Sequence, residues 1–166
     1  MGYGARVLTW SEVRPLVVTT LGRSFVSLGF PNPGRGMWRV RPRFTDVAAF
    51  RCAKYGRSLK LELACALRRK GLSHPYPEEC EFRVDLAPAL GWTEERFLFR
   101  DSVPEQVEAL ESMVPDLVAF AETWFAKWDC VSKAIEAVEA SRGAECWRRG
   151  EGIDLRALPR LRALPG

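Results

Sequence analysis

Leu59-Lys-Leu-Glu-Leu-Ala-Cys-Ala-Leu67 alternates over its whole length. Leu59, Leu61, Leu63, Cys65 and Leu67 fall on one side, and Lys60, Glu62, Ala64 and Ala66 on the other. A period of two is the pattern of a strand with one face on a core. Immediately upstream, Tyr55-Gly-Arg-Ser58 reads as a tight turn, and residues 47–54 read as a strand with Phe50 and Cys52 on one side. Together they predict a hairpin. Residues 36–43 alternate as well. Trp38 and Val40 point one way, while Arg39, Arg41 and Arg43 point the other, which predicts a half-buried strand with a basic outer face. Downstream, Cys80, Phe82, Val84 and Leu86 alternate with Glu81, Arg83 and Asp85, giving a fourth strand. Arg96-Phe-Leu-Phe-Arg100 adds a short fifth.

Helices flank this block. Thr9-Trp-Ser-Glu12 is a capping box, since Glu12 stands three residues after Thr9. Val13, Leu16, Val17, Leu21, Phe25 and Leu28 then recur at helical spacing, and Gly29-Phe30 fits a glycine C-cap. The first helix is therefore expected over 11–28. Ser102-Val-Pro-Glu105 is a second capping box. Val107, Leu110, Val114, Leu117, Ala121, Trp124 and Trp128 follow it on one stripe, with a break or kink expected near 113–115 at Pro115. A last helix is expected over 129–141. Strands segregated from helices predict an α+β fold: an N-terminal helix, a four- to five-stranded antiparallel meander and C-terminal helices packed on one face. Residues 1–143 are read as a single domain. Residues 144–166 are read as an extension in which Leu-Arg-Ala-Leu-Pro occurs twice, from Leu155 and from Leu161.

The composition narrows the class. With 166 residues, 47% of them apolar, the chain can bury a core without staples and is not a disordered segment. No run approaches the ~18 apolar residues of a membrane span, and no signal stretch leads the chain, so a cytoplasmic location is expected. Cys52, Cys65, Cys80, Cys130 and Cys146 form no C-x-x-C pair and read as reduced, mostly structural thiols. The net charge of +4 is unevenly placed. Residues 35–70 hold eleven Arg or Lys against Asp46 and Glu62, whereas residues 78–116 hold eleven acids against Arg83, Arg96 and Arg100.

Leu28-Gly-Phe30, the Trp- and Arg-bearing strand, the central hairpin and above all Cys80-Glu-Phe-Arg-Val-Asp-Leu86 resemble the bacterial domain-of-unknown-function family DUF4304, over roughly residues 10–140. The resemblance implies the same order of helix, meander and C-terminal helices. The family supplies no activity to carry over.

No catalytic, metal or cofactor motif stands out. His74, in Ser73-His-Pro-Tyr-Pro77, is the obvious acid–base group, beside Glu78 or Glu79 and with Cys80 as a nucleophile, but a solvated loop histidine is the plainer reading. The arginine row is the best surface candidate. Side chains at alternate strand positions stand about 7 Å apart, a spacing that suits phosphates or the carboxylates of an acidic protein. Arg51, Lys54 and Arg57 extend the patch formed by Arg39, Arg41 and Arg43. Phe125, off the apolar stripe, and Cys146-Trp147 are candidate interface anchors. The leading expectation is a non-enzymatic protein-binding module, immunity- or antitoxin-like, whose partner is another protein. The alternative is a nucleic-acid-associated protein using the basic strand face. Homodimerisation through an edge strand or the tail stays open.

Overall fold

The N–H of Thr9 donates to Glu12 Oε2 at 2.9 Å, closing the capping box that opens the first helix. A computed structural model describes residues 6–54, 56–141 and 151–164, so Tyr55, Cys146 and Trp147 lie outside it. Helix α1 spans Trp10–Val17 and continues as a π turn over Val18–Gly22 and a 3-10 turn over Phe25–Leu28. Pro15 has no N–H to give the ladder, and the widened turn starts three residues after it. Gly29 ends the run at φ +85°, with the Phe30 N–H reaching the Phe25 carbonyl at 3.2 Å. This is the glycine C-cap expected from the sequence. A Cβ on Gly22 would sit 2.9 Å from the Gly34 carbonyl oxygen, so the π turn and the loop behind it touch backbone to backbone.

Five antiparallel strands follow in consecutive order: β1 Gly36–Val40, β2 Phe44–Cys52, β3 Leu59–Leu67, β4 Phe82–Asp85 and β5 Glu151–Ile153. The architecture is the expected α+β meander. Several boundaries differ. β1 stops at Val40 rather than 43, because Arg41–Arg43 make the turn into β2, which begins at Phe44 rather than 47. Residues 96–100 are not a strand. Glu94–Phe97 is a 3-10 turn, and Leu98 makes one isolated bridge to Ser58. The fifth strand comes instead from the C-terminal extension, where β5 pairs with β4 and the following α5, Ala157–Arg162, packs beside α4. Over its described part, then, the extension completes the sheet and the core.

Helix α2, Leu86–Leu90, follows β4 directly, capped by Asp85 Oδ1 accepting from the Ala87 N–H. Helix α3, Val103–Ala126, runs through Pro115 without the break that is one of the two outcomes expected there. Proline there forfeits one ladder bond, while Leu110, Met113, Leu117 and Ala121 are all fully buried on either side. Helix α4 spans Val131–Ala140.

The sheet is covered on both faces. Met37, Phe44, Ala48, Phe50, Leu61, Leu63, Cys65, Phe82 and Val84 share the face that meets the helices, as the strand registers dictate. There Phe50 packs edge-on against Phe25, and Phe82 stacks on Trp128 at 4.1 Å. Phe125 belongs to the same core, 3% exposed and 5.6 Å from Phe30, so it is not a free interface anchor. The second face carries Val47, Ala49, Ala64 and Ala66, all buried. The chain between β3 and β4 folds back over it. Trp38 Nε1 donates to the Pro75 carbonyl at 2.9 Å, Arg51 pairs with Glu78 at 2.7 Å, and Pro75 and Pro77 are buried.

Candidate functional site at the outer edge of the sheet

The arginine row does not form an outer face. In the β1–β2 register Arg39 stands opposite Asp46, on the side that meets the helices. Asp46 is 0% exposed and takes both arginines: Arg39 Nε at 2.8 Å and Nη2 at 2.7 Å, Arg41 Nη2 at 2.6 Å. Arg39 also donates to the Leu28 carbonyl at the end of the first helical run and lies over the rings of Phe30 and Phe125. Arg41 reaches Asp129 at 3.2 Å and lies over Phe44. Trp38 and Val40, expected to point inward, are on the opposite face, and Val40 is 58% exposed. A carboxylate set in an apolar strand draws the nearest guanidinium groups inward, because a buried charge left unpaired is costly.

The other basic candidates separate. Arg51 is half-buried and bonds Glu62 and Glu78. Burial opposes ionisation of Glu78, but the Arg51 hydrogen bond, a backbone hydrogen bond and the charges of Arg51 and Lys60 together outweigh it and lower the Glu78 pKa. Lys54 and Arg57 are exposed around the β2–β3 turn, and the Arg57 carbonyl accepts from the Phe99 N–H. Arg43 is exposed in the β1–β2 turn. Its carbonyl accepts from the Arg68 N–H at 2.9 Å, which brings Arg43, Arg68, Arg69 and Lys70 to one end of the sheet. The six candidates therefore do not make one patch.

His74 and Cys80 line different cavities. His74 stands edge-on to Trp38 at 5.0 Å, with Nδ1 3.0 Å from the Ser73 hydroxyl. Cys80 opens on a cleft of about 630 Å³ between the β3–β4 segment and the β5–α5 turn. Its thiol donates to the Tyr76 carbonyl, and burial together with Glu81 and Glu79 pushes its pKa up to about 12. That is the opposite of an activated thiolate. Glu81, 3% exposed in the same cleft, is held by the Leu67 N–H, Arg69 and Arg160. Among the described residues no group of three or more His, Cys, Asp or Glu is placed to hold a metal ion.

What remains open is the free side of β1, which sequence alternation could not single out because it is a property of sheet order. The Arg41 N–H bonds the Phe44 carbonyl, and the Phe50 N–H bonds the Arg35 carbonyl. Antiparallel alternation then directs the backbone groups of Gly36, Trp38 and Val40 away from the sheet. Among the described residues no backbone group pairs with them. A groove of about 550 Å³ runs along this edge, lined by Pro31, Pro33, Met37, Trp38 and His74. A second cleft of about 390 Å³ meets it at Val40 and is lined by Arg68, Arg69 and Leu72. Neither is lined by a carboxylate. Glu105, Glu108, Glu111, Asp116 and Glu122 are exposed on α3, and Glu122 lines, with Asp129, a third cleft that contains Arg39 on the helix side of β1.

Comparison with protein-family models, curated proteins and solved structures found no match for this chain. No described helix is long and apolar enough to cross a membrane.

Proposed function

We propose that this chain is a non-enzymatic protein-binding module of the immunity or antitoxin kind, related to the DUF4304 domains. The observation that carries the reading is the outer edge of β1, unpaired among the described residues, lying beside a groove lined by Pro31, Pro33 and Trp38. An exposed strand edge offers a partner a ready row of backbone donors and acceptors, and flanking pockets select its side chains. Tagged chain recovered from its native host under crosslinking should retain one protein at near-equal stoichiometry. A chain that stays partnerless overturns the reading.

A second reading, nucleic-acid association, is favoured by one observation, the cationic end formed by Arg43, Arg68, Arg69 and Lys70. It can no longer use Arg39 and Arg41, which Asp46 holds. Binding to labelled RNA or DNA that weakens steeply with salt, and that an Arg43→Ala/Arg68→Ala/Lys70→Ala variant loses, would establish it.

A further inference from the structure

We infer that the outer edge of β1 accepts an extended, acidic segment of a partner protein as a sixth strand. The inference rests on the protein-binding reading and specifies its partner. Gly36, Trp38 and Val40 each turn an N–H and a C=O outward at alternate positions, which is the pattern an added strand requires. Five residues of strand present roughly 16 Å of edge, enough for a segment of similar length. Val40 leaves an apolar side chain exposed at the rim, and the groove beside Pro33 and Trp38 takes an apolar side chain of the incoming strand.

Charge selects among occupants. The clefts on either side of Val40 contain Arg39, Arg68 and Arg69 and no carboxylate. Arg35 and Arg43, just outside the two ends of β1, are exposed. Of the acids nearby, Asp46 is fully buried and occupied by Arg39 and Arg41, while Glu122 and Asp129 line a cleft with Arg39 on the helix side of the strand, where Asp129 pairs with Arg41 and Lys133. An incoming segment with carboxylates would therefore compensate Arg35, Arg43 and Arg68, none of which is in an ion pair among the described residues, whereas Arg39 and Arg69 are already held by Asp46 and Glu81. A second copy of β1 would not. Its Gly36–Val40 carries one arginine and no acid, so it brings no carboxylate to Arg35, Arg43 or Arg68. Pro31, Pro33 and Pro42, bracketing the strand, also limit how far such a pairing could extend.

The test uses the full chain and two fluorescein-labelled probes about seven residues long, long enough to cover the edge. One alternates valine with glutamate, the other valine with lysine. Fluorescence polarisation should show the glutamate probe bound at least about tenfold more tightly. Val40→Pro removes an outward N–H while leaving the Arg39 and Arg41 groups that bond β2, so it should keep the fold, checked by circular dichroism, and weaken the glutamate probe about tenfold or more. Should that variant not fold, Arg35→Glu/Arg43→Glu, at two exposed positions, should reverse the preference between the probes. Equal binding of both probes overturns the inference, as does unchanged affinity in folded Val40→Pro. Absence of probe binding in a chain that still captures its partner from the host overturns the edge as the site and spares the protein-binding reading. A dimer that Val40→Pro dissociates overturns the acidic occupant in favour of a second copy.

Discussion

Replacing Asp46 with alanine removes the one carboxylate that Arg39 and Arg41 share inside the sheet–helix interface. Asp46 is fully buried, while the two arginine side chains are 25% and 15% exposed. After the substitution both guanidinium groups remain where they were, packed against Phe30, Phe44 and Phe125, with no acid opposite them on the strand. Breaking a buried ion pair by deleting one partner costs about 3–5 kcal/mol. The weaker contact of Arg41 with Asp129 offsets little of this, because Asp129 is 62% exposed. A domain has only about 5–15 kcal/mol to lose, so Asp46→Ala should unfold at a markedly lower urea concentration and melt roughly 6–20 °C earlier. Asp46→Asn keeps the shape and one acceptor and should cost less, about 1.5–3 kcal/mol, the worth of charge-assisted bonds. The decisive control is Arg39→Met/Arg41→Met/Asp46→Leu. Apolar replacement of a whole buried ion cluster is often neutral or stabilising, so the triple variant should recover at least half of the loss, the remainder reflecting the Leu28 carbonyl that Arg39 no longer caps. If Asp46→Ala costs under about 1 kcal/mol, Arg39 and Arg41 are not held by Asp46, and the inward-facing assignment of the arginine row fails.

Three further outcomes are expected. Gly29→Ala should lower the urea midpoint by an amount equivalent to about 1–2 kcal/mol, since φ is +85° and the new Cβ would press within 3.3 Å of Arg39 Cδ; an unchanged midpoint would place the helix end elsewhere. Thiol labelling mapped by mass spectrometry at pH 8 should modify Cys130 quickly, whereas Cys65, whose pKa burial raises well above its ordinary value, and Cys80, pushed up to about 12, should react only as the chain unfolds. Burial raises the pKa of Asp85 above 3.8, although its capping bond to the Ala87 N–H opposes the shift. A raised carboxyl favours folding while protonated, so its contribution is present below pH 3.8 and is lost as pH rises through the folded value. Asp85→Asn keeps the cap but cannot ionise, so its stability relative to the wild type should rise between pH 3.5 and pH 7; a pH-independent difference would contradict the assignment.

The strands with strict alternation were legible: β3 occupies Leu59–Leu67 as the pattern indicates, and the helix stop at Gly29 was equally plain. The orientation of β1 was not, because apolar Trp38 and Val40 compete with Met37 for the inward side, and hydrophobicity alone favours the tryptophan. The deciding signal was Asp46. A single acid beside the run Val47–Phe50, facing a strand with arginines at alternate positions, marks an internal pair rather than a surface row. The covered second face was also signalled, by alanines at 49, 64 and 66 where a solvated strand would carry polar groups. Phe97 and Phe99 did alternate in burial about exposed Leu98, yet burial without a neighbouring strand makes no ladder. β5, three residues with a central glycine, has too little pattern to be read at all, and its place depends on β4. The candidate site was least legible of all, because a free edge depends on which strand comes last in the sheet.

The two covers of the sheet differ in kind. One is a layer of helices stapled by stacked aromatic rings. The other is a single passage of chain between β3 and β4, tied down at Trp38 and Arg51 and resting on alanine and valine side chains. Such a strap has little apolar area beneath it and few bonds to break, so it belongs to the low end of the local-opening scale. Amide protons under the helices should therefore exchange only with global unfolding, while those along the strap exchange through a cheaper opening that leaves the rest of the molecule folded. Because Trp38 is both a wall of the edge groove and the strap's main fastening, any segment bound along β1 would also slow that exchange, giving a readout of occupancy remote from the contact itself.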